Sequence, residues 1–344
     1  MSDGLEIINP LSRTGWDDLV IASGKGSFFH SSTWARVLNE SYGYKPVYFA
    51  FYNDEGYNAL VPFMEISSRI TGKRGVSLPF TDYCEPIIQG DCTIGDVTAR
   101  IVRFGKSAGW RYIELRSGVG MPVPASSFYY GHVLDIARDE KTLLSSFRES
   151  TRRNIKKAEK EGVKVSVSGS LDSIRKFYRL NCMTRKLHGL PPQPYRFFEK
   201  IYEHAVSEGY GMAVLADYNG KTIAGNVYFH FGDKAMYKYG ASDREHLHLR
   251  ANNLVMWEAI RHYAKNGFRS LCFGRTEPEN SGLLQFKRGW GGQEQVVNYY
   301  KYDLKLDSYV TETSRLRGFH NKVFANMPVP FLRLAGYLLY KHMG

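Results

Sequence analysis

The most regular run of hydrophobic and polar positions lies at 142–162, where Leu144, Phe147, Thr151, Ile155 and Ala158 recur at spacings of three and four. That period puts them on one stripe of an α-helix, because such positions lie over one another on successive turns. Arg148, Arg152, Lys156 and Lys160 recur every fourth residue beside the stripe, and Arg153 and Lys157 widen the row. The pattern predicts a helix with a face to bury and a basic ridge next to it. Periodicity alone leaves open whether the ridge is merely solvated or binds an anion.

On either side, the patterning predicts two similar α/β units. The first has a helix opened by Ser31-Ser32 and carried by Trp34, Val37 and Leu38, then strands over 46–52 and 57–66 around the turn Asn53-Asp54-Glu55-Gly56. A strand at 75–79, a helix over 94–108 stopped by Gly109 and an alternating strand at 111–115 follow. The second has helices over 171–187 and 195–207, strands at 211–216 and 222–231 around Asn219-Gly220, a strand at 235–241, a helix over 253–265 and a strand at 269–273. The spans from hairpin glycine to helix-end glycine, Gly56 to Gly109 and Gly220 to Gly267, are of similar length. Similar order and length argue for a duplicated unit, each a mixed, mostly antiparallel sheet flanked by helices. Glycine commonly ends helices, so coincidence is the competing reading. The expected domains are 1–141 and 142–305, with an amphipathic helical tail at 306–344. Within the tail, 323–344 follows Lys322 and mixes Phe324, Phe331, Leu334, Tyr337 and Leu338 with Arg333 and Lys341, which suits a helix lying in a membrane interface or packing on its own domain.

Composition narrows this picture. With 344 residues, 43% hydrophobic and 14% aromatic, the chain has apolar surface enough for two folded domains. A formal charge of +12 favours an anionic partner: nucleic acid, a phosphorylated substrate or an acidic membrane. The cysteines, at 84, 92, 182 and 272, show no CxxC spacing, so free thiols are expected and neither a metal site nor a disulfide framework. The polar N-terminus has no hydrophobic core for a signal peptide, and no run of 18 apolar residues predicts a membrane span. A cytoplasmic protein, at most peripheral on the membrane, is expected.

Residues 273–292, FGRTEPENSGLLQFKRGWGG, follow the last predicted strand and combine five glycines, two arginines and a lysine. Such a segment reads as an anion-binding site loop or as a surface crossover with glycines at its bends.

Three patches carry a resemblance. Residues 147–163, FRESTRRNIKKAEKEGV, residues 184–198, TRKLHGLPPQPYRFF, and Phe273-Gly274-Arg275 followed by Phe286-Lys287-Arg288-Gly289-Trp290-Gly291 together resemble the Fem peptidyltransferases and the related FemAB-like and BioF2-like acyltransferases. The resemblance spans most of residues 20–305 and implies a tandem pair of GNAT-like domains. It also implies transfer of an acyl group, typically an amino acid from aminoacyl-tRNA, onto an amine of a phosphorylated cell-envelope precursor such as that of peptidoglycan. No cofactor is implied beyond that co-substrate or an acyl-CoA. By the motif, Lys287 is the cation near the acyl carbonyl or the tRNA terminal phosphate. Arg152, Asn154, Lys156, Arg275, Phe286 and Trp290 are the expected substrate-binding set, joined by Tyr239, which shares a strand face with Tyr237 by alternation and could line the pocket. Each has a plain structural alternative: an ion pair of Arg152 with Glu149, a cap by Asn154, a strand-end role for Arg275, core packing for Tyr237 and Tyr239, which alternate on one strand face. For a general base, Asp82 and Glu85 in PFTDYCEP are the first carboxylates to consider, with Glu277 and Glu279 competing.

One departure bears on the donor. Ordinary GNAT domains carry a [QR]-x-x-G-x-[GA] turn whose N–H groups cradle the CoA pyrophosphate, and neither 91–96 nor 243–248 has it. Acyl-CoA-dependent transfer to an exopolysaccharide sugar is the second reading. A non-catalytic protein binding RNA or membrane through its basic ridge is the third.

Overall fold

The computed structural model describes residues 4–53, 56–90, 92–117, 120–311 and 319–344. Asp54 and Glu55 of the expected turn, and Asp91, lie outside them. Two compact units emerge. The first comprises Met1–Tyr130, Gln295–Arg315 and Tyr340–Gly344, the second Gly131–Glu294 and Leu316–Leu339. The expected class, mixed α/β with mostly antiparallel pairing, is what both show.

In the first unit Ser31 opens the helix Ser32–Tyr42 by accepting from the Trp34 amide at 3.2 Å, and Trp34, Val37 and Leu38 are fully buried. Strands Gly4–Ile8, Tyr48–Asn53, Gly56–Val61 and Ile87–Ile88 form one antiparallel sheet. Where the pattern predicted one strand over 57–66, the chain makes two, Gly56–Val61 and Met64–Ser68, in different sheets. Pro62 between them has no N–H for a ladder, so the chain changes sheet there. Met64–Ser68 pairs with Gly72–Val76, which runs parallel to Tyr112–Ser117, and that strand pairs antiparallel with residues 298–303. Phe49, Phe63, Trp110 and Ile113 centre the core beneath helix Ile94–Ser107.

The second unit has strand order Lys164–Ser168, Gly211–Tyr218, Lys221–Phe231, Lys234–Ser242, Ser270–Thr276. The first three pairings are antiparallel; the last is parallel, its crossover made by helix Ala251–Lys265. Asn219 and Gly220 both have positive φ, 50° and 77°, as a two-residue hairpin turn demands. Helices Leu171–Leu187 and Tyr195–Ile201 follow the expected segments. The helix predicted at 142–162 is two helices, Glu140–Ser146 and Glu149–Lys160, with Phe147 extended between them. Phe147 is drawn off the helical path into the core, where it meets Trp257 and Trp290 edge-on at 5.4 and 5.0 Å. The tail likewise divides into helices Phe319–Asn326 and Val329–Leu339, the second packed on its own unit through fully buried Leu332. Among the described residues no helix is long and apolar enough to cross a membrane.

Candidate functional site

Strands Lys234–Ser242 and Ser270–Thr276 pair at only three positions, ending with Met236 opposite Cys272. Beyond that point they part. Gly274, two residues on, has φ of 66°, a left-handed conformation that a side chain would strain, and it bends the strand away from its neighbour. The segment 277–280 then turns into helix Ser281–Arg288, where Asn280 Oδ1 accepts from the Leu283 amide at 3.2 Å.

Lys287 on the last turn of that helix is 2% exposed, and its Nζ donates to the carbonyls of Gly274 at 3.2 Å and Arg275 at 3.0 Å. Burying an ammonium group is costly unless its donors are satisfied, and here main-chain oxygens of the bent strand satisfy them. The residue therefore fixes the divergence as well as placing a positive charge beside it.

The motif patches 147–163 and 286–291 meet. Thr151 Oγ1 donates to the Gly289 carbonyl at 3.1 Å, and the Arg148 amide donates to the same oxygen at 3.0 Å. A Cβ on Gly289 would lie 2.5 Å from Thr151 Oγ1, so this approach requires the glycine. Trp290 is fully buried between Phe147 and Phe286, and its indole Nε1 has no hydrogen-bond partner among the described residues. Phe286 is half-buried against the same core. Packing, rather than an open surface, is thus where the structure puts Phe286 and Trp290.

Arg152 is half-buried and donates to the Ser145 carbonyl at 3.4 Å; it is Arg153 that pairs with Glu149, at 2.9 Å. Asn154 is half-buried, and Lys156 and Lys160 are exposed on the basic ridge. Arg275 is half-buried beside the bend. The expectation that Tyr237 and Tyr239 share a face needs correction. The register slips between Val227 and Tyr228, which face Tyr239 and Tyr237, so Lys238 occupies a bulge. Tyr237 then packs on Tyr228, whereas Tyr239 packs among Phe177, Phe197 and Phe198.

Asp82 and Glu85 belong to the first unit, half-buried on the loop after strand Gly72–Val76. The Asp82 carbonyl accepts from the Tyr299 hydroxyl, and the Glu85 carbonyl lies 2.8 Å from His30 Nε2. Glu277 is half-buried and Glu279 exposed.

One group escaped the sequence reading. Fully buried His132, on strand Ser127–Asp135, has Nε2 2.9 Å from Glu294 Oε2, though not in hydrogen-bonding alignment, and Arg288 grips Glu294 through Nε at 2.6 Å and Nη2 at 2.9 Å. Burial lowers the His132 pKa against the pull of Glu294, and the charges of Lys287 and Arg288 lower it further. The Glu294 carboxyl is held below its usual range, chiefly by the hydrogen bond from Arg288. A histidine inside an ordinary alternating strand gives no spacing signal; only the fold brings it to the motif cations.

The turn after strand Lys234–Ser242 is filled by the protein itself. Asp243, 2% exposed, accepts from the Glu245 amide at 3.1 Å and pairs with Lys221 at 2.7 Å, capping a short 3-10 helix, Arg244–Leu249. Lys221 is the first cause of the lowered Asp243 pKa. His246 Nδ1 is 3.2 Å from the same carboxylate.

Comparison with known proteins bears on this arrangement. The acetyltransferase (GNAT) domain profile matches residues 145–288 and the FemAB family profile residues 77–207. A UDP-N-acetylmuramoylpentapeptide-lysine N(6)-alanyltransferase of Weissella viridescens is 26% identical over 113 residues, 32% of this chain and 33% of that enzyme. The chain thus spans about a third of the length of that curated relative. Among solved structures, a crystal structure of FemX superposes with a TM-score of 0.68 at 14% identity, covering 86% of this chain and 96% of the other. A tandem GNAT protein from the clavulanic acid pathway superposes with a TM-score of 0.56 at 9% identity, covering 88% and 99%. At such identities the likeness is one of fold, and that fold is GNAT-like.

Proposed function

We propose, from the match of the FemAB family and GNAT profiles and the likeness to an alanyltransferase, that the chain is a FemAB-like acyltransferase moving an aminoacyl group from aminoacyl-tRNA to an amine of a phosphorylated peptidoglycan precursor. The amine nitrogen attacks the ester carbonyl carbon and a C–N bond forms. The bond to the tRNA's terminal ribose oxygen breaks, and the proton lost by the amine ends on that oxygen. Such a step needs a held nucleophile, a proton acceptor and positive charge or N–H donors facing the developing oxyanion.

Lys287 is assigned the charge: an ammonium group fixed by two carbonyls acts without the screening that bulk water imposes. Arg152, Asn154 and Lys156 are assigned the phosphates and hydroxyls of donor or precursor, the arginine by paired N–H donors and the lysine as a point charge. Arg275 beside the bend joins them, while Phe286 and Trp290, packed in the core, hold the helix that carries Lys287. Asp82→Asn and Glu85→Gln are the variants that test those two carboxylates as the proton acceptor. Envelope precursors of this kind are made in the cytoplasm, so the protein is placed there, its tail in peripheral contact with the inner membrane.

The observation that carries the choice of donor is the Asp243 turn. In acetyl-CoA enzymes of this fold the corresponding N–H groups receive a pyrophosphate; here the Glu245 amide is already taken by the Asp243 carboxylate. Incubation with charged tRNA and a UDP-linked muropeptide should add one aminoacyl mass to the peptide, and titration with acetyl-CoA should give no heat of binding. Product from acetyl-CoA and none from charged tRNA would overturn the proposal.

A further inference from the structure

Helix Val329–Leu339 is held by one side and bare on the other. Leu332 is fully buried, and Gly336, one turn on, lies so close that a Cβ would sit 2.0 Å from the Pro192 carbonyl oxygen. On the opposite face Phe331, Leu334, Tyr337 and Leu338 are 62, 55, 60 and 51% exposed. Four large apolar side chains on three turns of one helix form the kind of patch that soluble surfaces usually cover. Residues 319–344 contain no Asp or Glu, but they do contain Lys322, Arg333 and Lys341.

Beside this face runs an open groove of about 370 Å³, lined by Tyr178, Tyr195, Arg196, Arg333, Leu334 and Tyr337 together with prolines. Arg333 lies over the Tyr178 ring at 5.4 Å, and Tyr178 and Tyr195 pack at 5.0 Å. An exposed ring with an apolar body and a polar tip, as at Tyr337, suits the boundary between acyl chains and headgroups, and two exposed guanidinium groups lining one groove suit a phosphodiester.

We infer that this helix face and groove dock the protein on an anionic phospholipid surface, the four apolar side chains entering the acyl boundary and Arg196 and Arg333 receiving a lipid phosphate. An acid-free cationic rim argues for anionic rather than zwitterionic lipid. The inference builds on the envelope reading above by naming the partner of the tail, yet lipid binding is measured without an acyl donor, so either can fail while the other stands.

The test is flotation of the full chain with phosphatidylcholine vesicles, with and without about one third phosphatidylglycerol. The expected result is binding to the anionic vesicles alone. It should fall about tenfold or more in Phe331→Ser/Leu334→Ser/Leu338→Ser, which removes only exposed side chains, and in Arg196→Glu/Arg333→Glu. An unchanged circular dichroism melt confirms that both variants are folded. Three outcomes overturn the inference: no flotation, equal flotation with both vesicles, or flotation untouched by either variant. Displacement by millimolar glycerol phosphate would also overturn it, since the groove would then be a site for a free phosphate ester.

Discussion

Two sets of lysines in the second unit, Lys287 alone and Lys156 with Lys160, carry the same formal charge per residue and do different work. Lys287 is enclosed and spends its hydrogen bonds on the strand that bends at Gly274, whereas Lys156 and Lys160 stand in water on the ridge. The first set is bound into the packing and cannot be altered without disturbing it; the second can change at little cost to the fold. Motif membership alone does not separate these roles, but burial does.

Substitutions sharpen that contrast, beginning where packing is densest. Trp290→Ala should destabilise the second unit by about 3–5 kcal/mol, because the cavity between Phe147 and Phe286 cannot close; chemical denaturation would measure it. Lys287→Met keeps much of the volume but leaves the Gly274 and Arg275 carbonyls without that donor. A loss of about 1–3 kcal/mol is expected, with transferase activity falling further than stability explains. A variant as active as the parent would break the assignment of charge to Lys287. For His132 the effect lies in pH. Its folded pKa is lowered below the ordinary 6.5, so on acidification the unfolded chain takes up a proton that the folded chain refuses. Stability should therefore be fully present above about 6.5 and decline as pH falls below it, and His132→Gln should flatten that slope in melts between pH 7.5 and 5.5. His230, His262 and His342, also lowered first by burial, contribute to the slope that remains. Smallest of all, Lys156→Ala/Lys160→Ala should leave stability within about 0.5 kcal/mol yet weaken tRNA binding and reduce its salt dependence. Unchanged tRNA affinity would return the ridge to simple solvation.

The sequence carried the elements better than their interruptions. The 3.6-residue stripe of 142–162 was legible, but Phe147 belongs to it by spacing and leaves it in fact, because Trp257 and Trp290, distant in sequence, offer it a deeper site. Pro62 is readable as a donor gap, but the apolar residues on both sides of it, Leu60-Val61 and Phe63-Met64, favour one strand. The Asn219-Gly220 hairpin needed only local chemistry and came through intact. Lys287 was found through its motif, while its carbonyl partners were not, since they depend on the bend at Gly274. His132 and Glu294 were invisible for the same reason: their meeting is a product of tertiary structure, with no spacing to announce it.

The hydrogen bond from Thr151 to Gly289 joins residues 138 apart in the chain. Closing so long a loop is entropically expensive before other contacts hold its ends, so this seam should form late, after helix and hairpin segments have gathered. During refolding, far-UV ellipticity should recover before the fluorescence of Trp257 and Trp290, and a ribosome should have to deliver the chain past Trp290 before Phe147 finds its place. Competence of the site would then report that the second unit has finished folding, which helix content alone would not.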